Sequence, residues 1–130
     1  AIIAMWEEWG DRPFNWYMSE TSGEAILRNS YLHPRTHISD QLLERGEASR
    51  SHQLTEETAA ELRAVEAPTR VLGAAIYNLA AVRATQDRGD EALTLLEEAL
   101  PMRPDLKASA AGDAHFASLR QAARFLALTS

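Results

Sequence analysis

Two histidines one helical turn apart, His33 and His37 in the stretch SYLHPRTHISD, are the residues of this chain whose type and spacing best suit chemistry. At i and i+4 of a continuous helix, two imidazoles share one face and can hold a divalent transition metal. A metal site needs at least a third ligand, normally from another helix, and residues 1 to 32 contain no histidine. His52, Asp40 and Glu44 are the residues that could fill that place. The competing reading is structural, with His33 bordering a break at Pro34 and His37 lining an interface, and the sequence favours it.

Other chemistries are poorly served. With no cysteine, the chain has no disulfide framework, no thiolate metal ligand and no thiol nucleophile. His115, two residues after Asp113 near a helix start, suits a capping or surface role. Glu97 and Glu98 are adjacent, so their carboxylates point apart instead of converging on one substrate. No Ser-His-Asp order, phosphate-cradling glycine loop or metalloprotease motif is present. The 13 basic and 19 acidic residues leave a net charge of −6 spread along the chain, which disfavours a phosphate backbone as partner, so nucleic acid is not expected. No apolar run approaches the length of a membrane span, and no membrane association is expected. A soluble, cytoplasmic protein is the expectation, with upstream sequence missing because Ala1 lies inside an apolar run.

The elements that must position these residues read as helices throughout, because Ala, Leu, Glu, Arg and Gln dominate and long β-branched alternations are missing. The class is all-α. A first helix covers Ile2 to Trp9 and stops at Gly10. The aromatic stretch DRPFNWYMSETSGE follows, with Thr21 or Ser22 capping the next helix. Trp6, Trp9, Phe14 and Trp16 read as core or subunit-interface residues. From Glu24 to Arg45, Leu27, Tyr31, Ile38 and Leu42 fall on one apolar stripe, Pro34 predicts a kink or two helices meeting at His33, and Gly46 supplies the stop. GEASRSHQ reads as a loop, after which Thr55 caps a helix with Glu56 and Glu57 in its first turn and Pro68 beyond its end. Helices over Arg70 to Thr85, Asp90 to Leu100 and His115 to Leu128 complete the chain.

Within YNLAAVRATQDRGDEALTLLEEALPMRP, residues 77 to 104, small and large residues recur as in two tightly packed antiparallel helices. Tyr77, Leu79 and Ala80 lie on the first, Ala92, Leu96 and Ala99 on the second, and Pro104 ends the unit. This stretch resembles a tetratricopeptide repeat over about 30 residues. It departs at the turn, where Gly89 falls two residues later than the family's usual glycine. One such repeat leaves apolar faces uncovered, and the helix from Thr55 to Ala67 and the one from His115 to Leu128 are the candidates to cover them. PDLKASAAGDAHFASLRQAARF is similar to the tail that follows a terminal repeat, with a capping helix ending in phenylalanine. The resemblance implies a peptide groove, to which Tyr77, Asn78 and Arg83 are the candidate contributors.

Upstream, SGEAILRNSYLHPRTHISDQLLERGE is similar to a late helix of the DinB/YfiT-like four-helix bundles, with histidines at one-turn spacing. The resemblance implies a metal held by histidines from two or more helices, nickel, zinc or iron, at His33 and His37. The family's earlier histidine is missing here.

The expected organisation is therefore an all-α helical bundle: residues 1–67 as a bundle segment truncated at its N-terminus, and residues 68–130 as a tetratricopeptide-like hairpin with capping helices. The expected role is a non-enzymatic module for binding a protein or peptide partner, or for homodimer formation, without a cofactor. The alternative is a DinB-like metal-dependent enzyme or metal-binding protein using His33 and His37.

Overall fold

The computed structural model describes residues 1–9, 13–16 and 19–130, and at Trp9, Phe14, Asn15 and Trp16 the backbone alone. The expected stop at Gly10, the residue Tyr17, and the side-chain roles expected of Trp9, Phe14 and Trp16 lie outside the described residues. The described chain is all-α apart from one short hairpin. It divides into two compact units, Ala1–Leu72 and Gly73–Ser130.

The first unit opens with α1 (Ile2–Trp9), followed by β1 (Pro13–Trp16) and β2 (Ser19–Thr21). The strands pair antiparallel, Pro13 opposite Thr21 and Trp16 opposite Ser19. No strand was expected in this all-α reading, and the hairpin is too short for its alternation to show in the sequence. Thr21 caps α2 (Ser22–Leu27), its Oγ1 accepting the Glu24 N–H at 3.2 Å. Glu24 in turn accepts the Glu20 N–H at 3.1 Å, and its buried carboxylate meets Arg70 Nε at 3.1 Å.

The break expected at Pro34 takes the form of a wide turn. Residues Arg28–Leu32 form one π-helical turn, with the His33 N–H bonded to the Arg28 carbonyl five residues back, and α3 (His33–Glu44) begins beyond it. Pro34 thus sits in the first turn of α3, directly behind the π turn, so the backbone donor it lacks falls where the helical bonding changes register. A π turn takes in one extra residue, which rotates everything downstream by about 100°. The stripe expected through Ile38 is corrected accordingly: Leu27 and Tyr31 are buried, but Ile38 is 49% exposed and its neighbour Ser39 is turned inward.

That inward serine explains a second correction. GEASRSHQ is not a loop and Thr55 is not a cap, because α4 runs over Ala48–Ala64 and only Arg45, Gly46 and Glu47 separate it from α3. Ser39 Oγ lies 2.6 Å from Ser51 Oγ and 3.2 Å from Thr55 Oγ1, and Thr55 donates to the Ser51 carbonyl at 3.1 Å. The serines that suggest a loop are the small polar residues through which α3 and α4 approach each other. Glu56 and Glu57 consequently lie in the middle of α4.

Both helices end in the same device. Gly46, with φ of 77°, donates to the Leu43 carbonyl and Glu47 to that of Leu42; Glu66, with φ of 50°, and Ala67 repeat the pattern on Arg63 and Leu62.

The boundary between units falls in the first turn of α5 (Thr69–Thr85), which is followed by α6 (Gly89–Met102). In the second unit, Ala80, Ala92 and Ala99 are wholly buried, so small side chains occupy the α5–α6 hairpin where large ones would not fit. Gly73 belongs to the same packing: a Cβ there would come within 2.8 Å of Met102 Cβ. The turn is closed by Asp87 at φ of 57°, donating to the Ala84 carbonyl while Arg88 donates to that of Arg83. Gly89 is small because the Leu119 side chain packs there, 2.9 Å from where a Cβ would stand.

Beyond α6 lie α7 (Leu106–Gly112), a 3-10 helix over Ala114–Leu119, and α8 (Ala123–Thr129). The single helix expected from His115 to Leu128 is therefore broken, with Ala122 in an extended conformation between its parts. Phe116 and Phe125, wholly buried with ring centroids 5.9 Å apart, show why: each half turns one phenylalanine into the same core.

Candidate functional site

His33 and His37 project from α3 into solvent. The two Nε2 atoms are 2.9 Å apart, and the rings meet edge to face with centroids 4.4 Å apart. The helical spacing seen in the sequence thus holds, since the π turn ends before His33 and leaves the pair within regular α-helix. Asp40 and Glu44 are exposed further along α3, and His52 is half-buried on α4. Among the described residues, no group of three histidines, cysteines or carboxylates is arranged to hold a metal ion. The pair by itself can offer two nitrogen lone pairs to a cation, or one N–H to its neighbour.

Two residues before and after His33, on another side of the same helical segment, stands a cluster that the sequence did not announce. Tyr31, buried, donates its hydroxyl to Glu61 of α4, while the Arg35 guanidinium lies 4.3 Å from the Tyr31 ring centroid and 4.0 Å from the Glu61 carboxylate. Burial, reinforced by the bond to Glu61, pushes the Tyr31 phenol well above its ordinary range, so it stays neutral as a donor. The i to i+4 spacing of Tyr31 and Arg35 was the available signal; their partner on α4 was not, because Glu61 lies 30 residues from Tyr31 along the chain.

In the second unit the three residues expected to serve a groove are placed differently from one another. Tyr77 is buried, donates to Asp113 Oδ2 at 2.9 Å and meets the Phe116 ring edge to face at 5.5 Å. Arg83 braces the turn, with Nε 3.4 Å from Glu91 Oε2 and a terminal nitrogen donating to Gln86 Oε1 at 3.0 Å. Asn78 is half-exposed, and with Ala81 and exposed Thr85 it forms a stripe at i, i+3 and i+7.

Asp113 is the node of this unit. Its Oδ1 caps the 3-10 helix by accepting the His115 N–H at 2.9 Å, and it also meets His115 Nδ1 at 2.7 Å. Burial pushes the Asp113 carboxyl up, but the bonds from His115 and Tyr77 outweigh it and hold the group below the ordinary carboxylate range. Burial and the bond to Asp113 push the Tyr77 phenol up. Arg120 adds a bond to the Asp113 carbonyl at 3.3 Å. The cap is therefore Asp113, while His115 is the capped residue and its exposed ring takes the surface role. Glu97 is engaged with Arg124 of α8 at 2.9 Å.

No helix among the described residues is long and apolar enough to cross a membrane. No family model matches the chain, and neither the curated proteins nor the solved structures give a match.

Proposed function

We propose that the chain is a non-enzymatic helical module for protein–protein association, in which the Gly73–Ser130 unit is a single tetratricopeptide-type hairpin closed by its own C-terminal segment. The observation that carries this reading is the division of labour on α5. Its apolar side is spent on the hairpin through Ile76 and Ala80, Tyr77 and Arg83 are spent on holding Asp113 and the turn, and the stripe of Asn78, Ala81 and Thr85 is left over at the surface. A peptide or protein segment laid along that stripe would meet an amide and small side chains on a rigid helix, with Tyr77 and Arg83 acting as its support. Substituting Asn78→Arg adds bulk and charge to the stripe without touching the core. It is expected to abolish co-purification of a partner with the full chain while leaving the circular dichroism spectrum unchanged. Unchanged co-purification would remove α5 as the binding face.

A second reading, metal binding of the DinB-like kind at His33 and His37, is supported by one specific observation: the two Nε2 atoms already lie at a separation that a single metal ion can span. The residues present supply two ligands, and a bound transition metal would contribute Lewis acidity there. The Nδ1 atoms are left to carry the ring protons.

A further inference from the structure

The separation of the two imidazole nitrogens says more than that a metal fits. With metal–nitrogen bonds of about 2.05 Å, nitrogens at tetrahedral angles stand about 3.3 Å apart, whereas nitrogens at adjacent corners of a square stand about 2.9 Å apart. The observed Nε2 to Nε2 distance is 2.9 Å. A hydrogen bond between the rings accounts for the same distance, so the pair can close on a metal ion as one edge of a square with little movement of its rings, and Cu(II) and Ni(II) favour that geometry over Zn(II). Two corners remain, and no described residue forms the third member of such a group. Both rings stand exposed on the outward side of α3, so the empty side faces solvent and is open to another molecule.

We propose that His33 and His37 form half of a metal site that a second copy of this chain completes, giving a twofold-symmetric dimer bridged by one Cu(II) or Ni(II) ion through four imidazoles. An isologous arrangement brings the same pair from each copy to the axis, so two edges of a square close into a plane with no further protein ligand. The neighbouring side chains permit the approach: Pro34 and Gln41 are compact or flexible, and exposed Asp40 and Glu44 add negative potential that attracts a dication. Before binding, one Nε2 carries the proton shared between the rings. On binding, that ring moves its proton to Nδ1, so each Nε2 presents a lone pair and no other group need ionise.

This inference rests on the metal-binding reading of the pair, and one experiment separates the two. The full chain is titrated with CuCl2 while its mass is followed by light scattering and its Cu(II) environment by electron paramagnetic resonance. The expected result is a doubling of mass that saturates at one ion for two chains, a square-planar spectrum split by four nitrogens, and reversal by EDTA. His37→Ala and His33→Gln are each expected to lose the dimer, and His115→Gln to keep it. One ion bound to a chain of unchanged mass would overturn the bridged dimer and leave metal binding standing. No copper retained, or copper retained equally by His37→Ala, would overturn both. A dimer that forms equally well in EDTA would overturn the bridging ion.

Discussion

At the residue scale, Asp87 and Asp113 carry the strongest local constraints in the Gly73–Ser130 unit. Asp87 closes the α5–α6 turn in the left-handed region, where an L side chain is strained and glycine is not. Asp87→Gly should therefore stabilise the protein by about 0.5–1 kcal/mol, read as a higher denaturation midpoint in urea. The glycine of this stretch instead stands at position 89, where the need is space for Leu119. Spacing alone showed that the turn was unusual, but not that an aspartate takes the left-handed conformation. Asp113 gives a pH dependence with a definite sign. Its carboxyl titrates lower in the folded chain than in the unfolded one, so the stabilisation is complete above the unfolded value of about 4 and is lost as pH falls through the folded value. Acid melting of this unit, followed by near-ultraviolet dichroism of Tyr77 and Phe116, should steepen below about pH 4 in the wild type and flatten in Asp113→Asn.

At the element scale, the π turn over Arg28–Leu32 decides which residues of α3 face inward. Helical spacing points to Ile38 as core, yet the extra residue in that turn places Ser39 there. The two alternatives give opposite mutational results. Ile38→Ser should stay within about 0.5 kcal/mol of wild type, and Ser39→Leu should cost about 2 kcal/mol by forcing α3 away from Ser51 and Thr55. Equilibrium unfolding of the two variants side by side checks this. The extent of α1 and the positions of α5 and α6 were legible because their apolar periodicity is regular and uninterrupted. The start of α4 was not, because Gly46 and the two serines of GEASRSHQ favour caps and loops locally, and the hydroxyl contacts of Ser51 and Thr55 with Ser39 on α3 are not readable from the sequence. The broken C-terminal helix is the same kind of case: Ala and Leu favour continuity, and the shared burial of Phe116 and Phe125 overrides it.

At the scale of the whole molecule, most of the polar side chains that could serve chemistry are committed to holding elements together. Glu24 is tied to Arg70, Glu61 to Tyr31, Asp113 to Tyr77 and His115, and Glu97 to Arg124. Among the described residues, the α5 stripe and the histidine pair carry no such tie between elements, and it is through them that association is proposed. Helical spacing in the sequence pointed to His33 and His37, and the tetratricopeptide resemblance to Tyr77, Asn78 and Arg83. The sequence could not foresee that Tyr77 would be drawn inward, because Asp113 lies 36 residues away along the chain. The most direct test of association through α5 is a photo-reactive side chain at position 78 of the full chain, with a control at exposed Thr94 on α6, mixed with native extract. A discrete cross-linked protein or second copy is expected from position 78 and none from position 94. Equal labelling from both positions, or none from position 78, would contradict it.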